Sequence, residues 1–400
     1  MVDGLQSRES VASTARVLDA VRVGGCTTRA EVTASTGLAK ALVAERLRSL
    51  LEWGLIQEGG VLASSGGRPA HRLSIAAQRA HVLALEIGMR HLTGCVADLG
   101  GRPQSRASVG IDIKAGPSEV CAAAVELLHG LESATEPTRH GSLIGLGVGV
   151  AAPVEHATGR TVHPPVSPNW HSFPVRDFFS SALAVPAWAD NEVNLMALAE
   201  SRVGAAVGHD NTLTFKLGSW IGAGLVSNGR LHRGAQGCAG SLATRAGGEA
   251  LERSATQLAE SGASPGLAAA LADFGGLTVL TITKVAEAGD AEAARLLDEA
   301  AVDVGRVLSV LVDFFNPSLV VIAGSMTHGG EAFLSRIRET IYGSAISLAA
   351  RDLQIVRSSL DDESAATGAA MMALDGLFSA EALAATLTRI GVDADAGGST

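Results

Sequence analysis

Cysteine is scarce in this chain. Cys26, Cys95, Cys121 and Cys238 stand far apart, with no pair at metal-ligand spacing. That excludes a disulfide framework and points to reduced thiols in a cytoplasmic protein. Aromatic residues make up only 4% of the chain, while Ala and Gly are abundant. The core is therefore expected to be packed from small side chains and not from stacked rings. Long apolar runs are missing too. The longest, Leu143 to Val154, falls short of the roughly 20 residues that cross a bilayer, and Leu308 to Ile322 is broken by Asp313, Asn316 and Pro317. The N-terminus is polar and has no secretory pattern. No membrane partner is expected.

What is present is ample core material. The chain has 400 residues, 47% of them hydrophobic, which implies two or three domains. The net charge of −10 is unevenly placed. Residues 1–80 hold ten Lys/Arg against seven Asp/Glu, a balance of +3, and the remainder twenty-one against thirty-four, a balance of −13. A mildly basic head beside an acidic body suits a head that meets phosphates and a body that does not.

The stretch from Thr27 to Leu73 organises the head. Thr28 is placed to cap a short helix, Arg29 to Ser35, that stops at Thr36-Gly37. A second helix follows, about Ala39 to Glu52, with Leu42, Val43, Leu47, Leu50 and Leu51 at three- and four-residue steps. Lys40, Arg46 and Arg48 fall largely off that stripe. Two short helices joined by a tight turn form a helix-turn-helix, whose second helix enters the major groove. Beyond Gly54, the run Leu55-Ile56, a Gly/Ser-rich turn and Arg68-Pro69 ahead of His71-Arg72-Leu73 read as a small wing. Thr14 to Val23 supplies a first helix. Candidate DNA contacts are Arg29, Lys40, Val43, Arg46 and Arg48 on the helices, and Gly67, Arg68 and Pro69 at the wing. The competing reading of this segment is a helical hairpin used for packing or dimerisation.

The character changes at His81. Strands are expected over His81–Gly88, His91–Leu99 and Ser105–Ile111, then a helix over Ser118–Leu131 and a buried strand over Leu143–Ala151. A second cycle of hairpin strands, Thr212–Leu217 and Ile221–Ser227, is followed by helices. A long helix, Asp290–Phe315, precedes a strand at Leu319–Ala323, a strand at Asp352–Arg357 and a helix at Ala365–Phe378. Two cycles of one plan imply two related α/β lobes. The expected divisions are 1–80 for the head, 81–190 and 191–390 for the lobes, and a disordered tail over 391–400.

Five segments together resemble the ROK family of repressors, open reading frames and kinases: GLAKALVAERLRSLLEWGLI with GGRPAHRL, then GVGVAAPVEHATG, DNEVNLMALAE, LGSWIGAGLVSNGRLHRGAQGCAG and LVVIAG. The resemblance implies an α/β chain in which a winged helix-turn-helix precedes a two-lobed, actin-like sugar-kinase fold. Active members transfer a phosphate from ATP to a hexose.

The departures from the family pattern carry the functional reading. The family's first phosphate loop, Asp-Ile-Gly-Gly-Thr-Lys, is Glu86-Ile87-Gly88-Met89-Arg90-His91 here. Its second, Gly-Thr-Gly-Ile-Gly-Gly-Gly, is Gly218-Ser219-Trp220-Ile221-Gly222-Ala223-Gly224. A backbone closes on a phosphate only where no side chain intervenes, so Met89 and Trp220 obstruct ATP; the surviving glycines read as hairpin geometry. The family's catalytic Asp is Glu192, within Asp190-Asn191-Glu192-Val193-Asn194, which is also readable as a helix-start carboxylate. At the family's zinc site the His is Thr244 and the three cysteines are absent, and Cys238 alone cannot supply four ligands, so no structural zinc is expected. Of the sugar-contacting glutamates one is Ser241, and Glu252 is retained. Asn169-Trp170 lies near the family's sugar-side Asn. Candidate ligand contacts are therefore Asn191, Glu192 and Glu252, with no catalytic residue and no cofactor. The expected protein is a transcriptional regulator, a repressor in the first instance, that binds an operator in double-stranded DNA as a homodimer or higher homo-oligomer. Its degenerate kinase-like body would take a sugar or related effector. The alternative is an ATP-dependent hexose kinase.

Overall fold

The computed structural model describes residues 7–61, 71–134, 141–164, 167–242 and 246–392. The chain forms two compact units, one of residues 1–192 with 366–400 and one of residues 193–365.

The first unit begins with three helices: α1 (Arg8–Arg22), α2 (Arg29–Thr36) and α3 (Lys40–Glu52). Helix α2 starts where Thr28 and Glu31 cap each other reciprocally, the S/T-x-x-E device that satisfies two orphan amides. It stops at Gly37, whose φ of 65° is left-handed. Val17, Leu18 and Val21 of α1 and Val43, Leu47 and Leu50 of α3 are buried, so the two helices pack along matching stripes. Strands β1 (Ile56–Val61) and β2 (His71–Ile75) pair antiparallel, with Ile56 opposite Ile75. The expected first helix, Thr14–Val23, starts a turn and a half earlier. Ser7 and Ser10 form a capping box there, and Thr14 is buried inside the helix.

The rest of the first unit is a sheet in the order β5-β4-β3-β6-β9. Its strands are β3 (Ala80–Ile87), β4 (His91–Asp98), β5 (Pro103–Gly110), β6 (Ser142–Val150) and β9 (Ala187–Asn191). A two-stranded ribbon, β7 (Val154–Glu155) with β8 (Arg160–Thr161), leads off β6. Strands β3, β4 and β5 are antiparallel neighbours, while β3, β6 and β9 run parallel. Leu83, Leu85 and Ile87 alternate along β3 and join one core with Val120, Cys121, Ala124 and Leu128 of α4 (Pro117–Ala134) and Phe179 of α5 (Val175–Leu183). Burial pushes the Cys121 thiol up to about 12. On the other face lies α13 (Ser364–Leu377). A Cβ at Gly147 would stand 1.9 Å from the Ala369 carbonyl, so that strand and α13 touch through backbone.

The second unit repeats the plan. Its sheet has the order β12-β11-β10-β13-β14, from β10 (Thr212–Leu217), β11 (Ile221–Ser227), β12 (Arg230–His232), β13 (Leu319–Ala323) and β14 (Gln354–Arg357). Again hairpins come first and parallel strands follow. Around it lie α6 (Glu192–Val203), α7 (Gly248–Glu260), α8 (Pro265–Phe274), α9 (Val279–Glu287), the long α10 (Ala291–Phe315), α11 (Gly330–Ser344) and α12 (Ser347–Ala350). Helix α14 (Leu383–Arg389) closes the described chain.

The expected α/β class and repeated plan are the observed ones. The expected end of the second lobe at 390 is not: the chain leaves that unit at Ala365. The reason is α13, whose Ala369 and Leu377 cover glycines of β6 in the first unit. Most of the expected tail, residues 393–400, lies outside the described residues.

Candidate functional site

The head is built to expose one side of α3. Val43 is 1% exposed and Arg46 8%. The Arg46 Nε donates to the Ser13 Oγ of α1 at 3.0 Å, and an Nη lies 3.1 Å from a Glu45 carboxylate oxygen. Both residues were expected to reach DNA, and for both the structure is a correction. Positions 43, 46, 47 and 50 share the face that α1 covers, so Val43 is core and Arg46 is a strut within the head. The outward side carries Lys40 and Arg48, both exposed, with Ala44 between them at four-residue steps and Ala41 and Glu45 beside them. Ala41 and Glu45 share that outward side by helical phase alone, opposite the Val43–Leu47–Leu50 stripe. Arg29, at the start of α2, is exposed and ion-pairs with Glu58 of β1 at 2.8 Å. Glu31 accepts from the amides of Thr27 at 2.7 Å and Thr28 at 3.1 Å, and these bonds, Thr27 first, hold its carboxyl below the usual range. Gly67, Arg68 and Pro69 lie outside the described residues. Arg72 is exposed on β2, opposite Gly59.

In the first unit, the loop after β3 is filled by its own chain. The Gly88 amide donates to the His91 carbonyl at 2.9 Å, and a Cβ at Gly88 would lie 2.9 Å from the His91 ring. That ring reaches back toward Glu86, with Nε2 3.6 Å from a carboxylate oxygen. Met89 does not obstruct as a free side chain; it packs against the core. The stretch at the end of β9 is ordered by nearby polar groups. Asp190 is fully buried, and one of its carboxylate oxygens accepts from the Asn191 amide at 2.7 Å. The Asn191 side-chain amide donates to the Ala152 carbonyl at 2.8 Å, and His156 Nδ1 stands 3.6 Å from the second Asp190 oxygen. Glu192 is 6% exposed and opens α6. Asn191 and Glu192 are thus adjacent at one strand-to-helix junction, and His156 is a neighbour that no sequence pattern announced. Trp170 is wholly buried, its indole N–H donating to the Ile113 carbonyl at 2.9 Å, while Asn169 is exposed.

In the second unit, the loop between β10 and β11 is closed by the start of α7. The Gly248 amide donates to the Gly218 carbonyl at 2.8 Å and the Glu249 amide to the Ser219 carbonyl at 3.2 Å. The Trp220 indole N–H donates to the Glu249 carboxylate at 3.0 Å. Helix amides that could cradle a phosphate are therefore already turned to the loop. The loop's later glycines serve packing. A Cβ at Gly224 would meet the Val193 carbonyl at 2.4 Å, and one at Gly222 would meet a Val193 methyl at 3.0 Å. Glu252 is half-buried on α7, one turn beyond Gly248. Asn191 and Glu192 belong to the first unit and Glu252 to the second.

The donor set for a structural zinc does not fit. Cys238 is exposed, Ser241 stands nearby, and Thr244 lies outside the described residues. Among the described residues no group of three or more His, Cys, Asp or Glu is placed to hold a metal ion, and no helix is long and apolar enough to cross a membrane.

The sequence profile of the ROK family matches residues 82–243 and 240–376. A putative xylose repressor from a Caldicellulosiruptor species is 23% identical over 380 residues, covering 88% of this chain and 92% of its own. A glucokinase from Halalkalibacterium halodurans is 28% identical over 247 residues, covering 56% of this chain and 74% of its own. Among solved structures, a ROK family transcriptional regulator described as a homologue of the Escherichia coli MLC protein superposes with a TM-score of 0.77 at 20% identity. It covers 95% of this chain and 99% of its own.

Proposed function

The chain belongs to the ROK family, and on that premise we propose that it is a transcriptional regulator. In this reading the helical head grips operator DNA in the cytoplasm and the kinase-like body senses a sugar or related small molecule. The observation that carries it is the division of α3 into a buried face held by Val43, Arg46, Leu47 and Leu50 and an outward face bearing Lys40 and Arg48. A helix fixed on one side and cationic on the other is what groove entry requires. Similarity to a putative xylose repressor over 88% of the chain supports the same reading.

The body is not proposed as a kinase. Its two phosphate loops spend their polar groups on the chain itself: Gly88 on His91, and Gly218 and Ser219 on the first amides of α7. Glu192, at the family's base position, is 6% exposed. With Asn191 and Glu252 it remains the candidate contact for an effector's hydroxyls. An effector regulates only through unequal affinity for DNA-competent and incompetent states.

A gel shift with the DNA upstream of the protein's own coding region, at graded salt, tests the reading. Lys40→Ala with Arg48→Ala is expected to weaken binding and to flatten the salt dependence by about one unit per lost phosphate contact. The reading fails if the protein binds no such DNA at low salt, or if it turns over ATP with any hexose of a coupled-assay panel.

A further inference from the structure

The first two turns of α3 hold a single acid, Glu45. Its side chain is 57% exposed and stands at the edge of the face that carries Lys40, Ala41, Ala44 and Arg48. One carboxylate oxygen lies 3.1 Å from an Nη of Arg46, whose Nε is in turn fixed on Ser13 of α1 at 3.0 Å. Among the described residues no hydrogen bond reaches the second oxygen. Arg46 is buried, so the carboxylate is tethered to the packed side of the head while one oxygen looks outward. Ala41 and Ala44 carry one methyl each. Side chains this short let the helix backbone come close to whatever lies against this face, within reach of a glutamate at its edge.

An acid is out of place on a face that only grips phosphates, because it repels the polyanion at every sequence. It gains a partner where the major groove offers a hydrogen-bond donor, since an ionised carboxylate only accepts. Guanine shows two acceptors in that groove, and thymine an acceptor and a methyl group. Adenine shows its amino group beside the N7 acceptor, which opposes a carboxylate; cytosine shows an amino group alone. We propose that Glu45 accepts from the N4 amino group of a cytosine and so fixes one base of the operator. The N-terminal turns of a recognition helix are the ones that meet base edges, and Glu45 is the sixth residue of α3. The inference rests on the DNA-binding role proposed for α3. It adds which base that helix selects, and through which atoms.

The test is selection of duplexes from a random library by the full chain, wild type against Glu45→Ala and Glu45→Gln. The wild type is expected to enrich a cytosine at a position where Glu45→Ala shows no preference, while the preferences at other positions persist. On the selected duplex, replacing that cytosine is expected to weaken wild-type binding about tenfold and to leave Glu45→Ala indifferent. Glu45→Gln keeps an acceptor for Arg46 and can pair bidentately with adenine, so its preference is expected to move from cytosine to adenine. Binding of both variants to random-sequence DNA is expected to hold or tighten, because an anion has left the surface that meets phosphates; that result also shows that the head is folded. The proposal is overturned if both variants still choose the same cytosine, or if they tighten binding to every sequence alike, as loss of a merely repelling acid would. Either outcome leaves the regulatory reading standing. A wild type that enriches no sequence at low salt overturns both.

Discussion

Arg22, in the last turn of α1, meets Asp375 of α13 at 2.6 Å, although 353 positions separate them. The guanidinium side chain is 4% exposed, also bonds Asp19 at 2.9 Å, and lies 5.8 Å from the Phe378 ring centroid. Within the first unit, this pair fastens the reading head to the helix that closes the unit's sheet.

Replacing Asp375 with Asn removes the charge facing a buried cation. The expected cost is about 1.5–3 kcal/mol, the worth of a hydrogen bond to a charged group. Limited proteolysis is expected to cleave the α1–α3 head faster in Asp375→Asn than in the wild type. Equal cleavage rates would show that the pair does not hold the head.

Arg46 and Arg48 are two residues apart and have opposite fates. Arg46→Ala is expected to lower head stability by about 1–3 kcal/mol, because the Nε bond to Ser13 and the packed stem are both lost. Arg48→Ala is expected to leave the melting temperature unchanged and to weaken DNA binding alone. Melting curves and salt titrations of the two variants, measured side by side, separate these outcomes.

Gly224 looks like a phosphate-loop glycine and is used for packing. Gly224→Ala is expected to destabilise the protein by about 1–3 kcal/mol, since the new methyl would meet the Val193 carbonyl and Ala197. Trp220→Gly opens the loop but leaves the α7 amides bonded to Gly218 and Ser219. Calorimetry with a non-hydrolysable ATP analogue is expected to show no binding to it. Tight binding would mean that the indole alone excluded nucleotide.

Asp290 caps α10 through the Ala293 amide at 3.0 Å and also accepts from Ser264 at 2.7 Å and from the Gly266 amide at 3.1 Å. These bonds, that of Ser264 first, lower its pKa from the usual carboxylate value. A depressed folded pKa stabilises above the unfolded value and is lost as pH falls through the folded one. Asp290→Ala is expected to cost about 1 kcal/mol at neutral pH. The gap to wild type should shrink as the pH drops below about 4. A gap that stays constant down to pH 2 would contradict this.

Much of the fold was legible because its signals are local. Thr28 with Glu31, Gly37, and Asp290 ahead of a periodic stretch are each read from a few neighbouring residues, and the boundaries of α2 and α10 follow within about a residue. The strand at Leu319–Ala323 is a buried apolar run with nothing else to become. The candidate site was legible only in part. The altered loops were visible as substitutions, but their closure by His91 and by α7 depends on side chains and helix ends brought in from elsewhere. Strand β9 and His156 gave no periodic signal of their own.

From residue order alone came the helical head, the repeated α/β plan and the departures at Met89, Trp220 and Glu192, since caps, periods and motif letters act over a few positions. Packing alone decided that Arg46 is a strut while Arg48 is a surface cation, and that Arg22 belongs with Asp375. It also turned the loop glycines into contact points and left Val310 and Phe314 in solvent. Which face of a helix is covered depends on what folds back over it, and covalent order does not specify that.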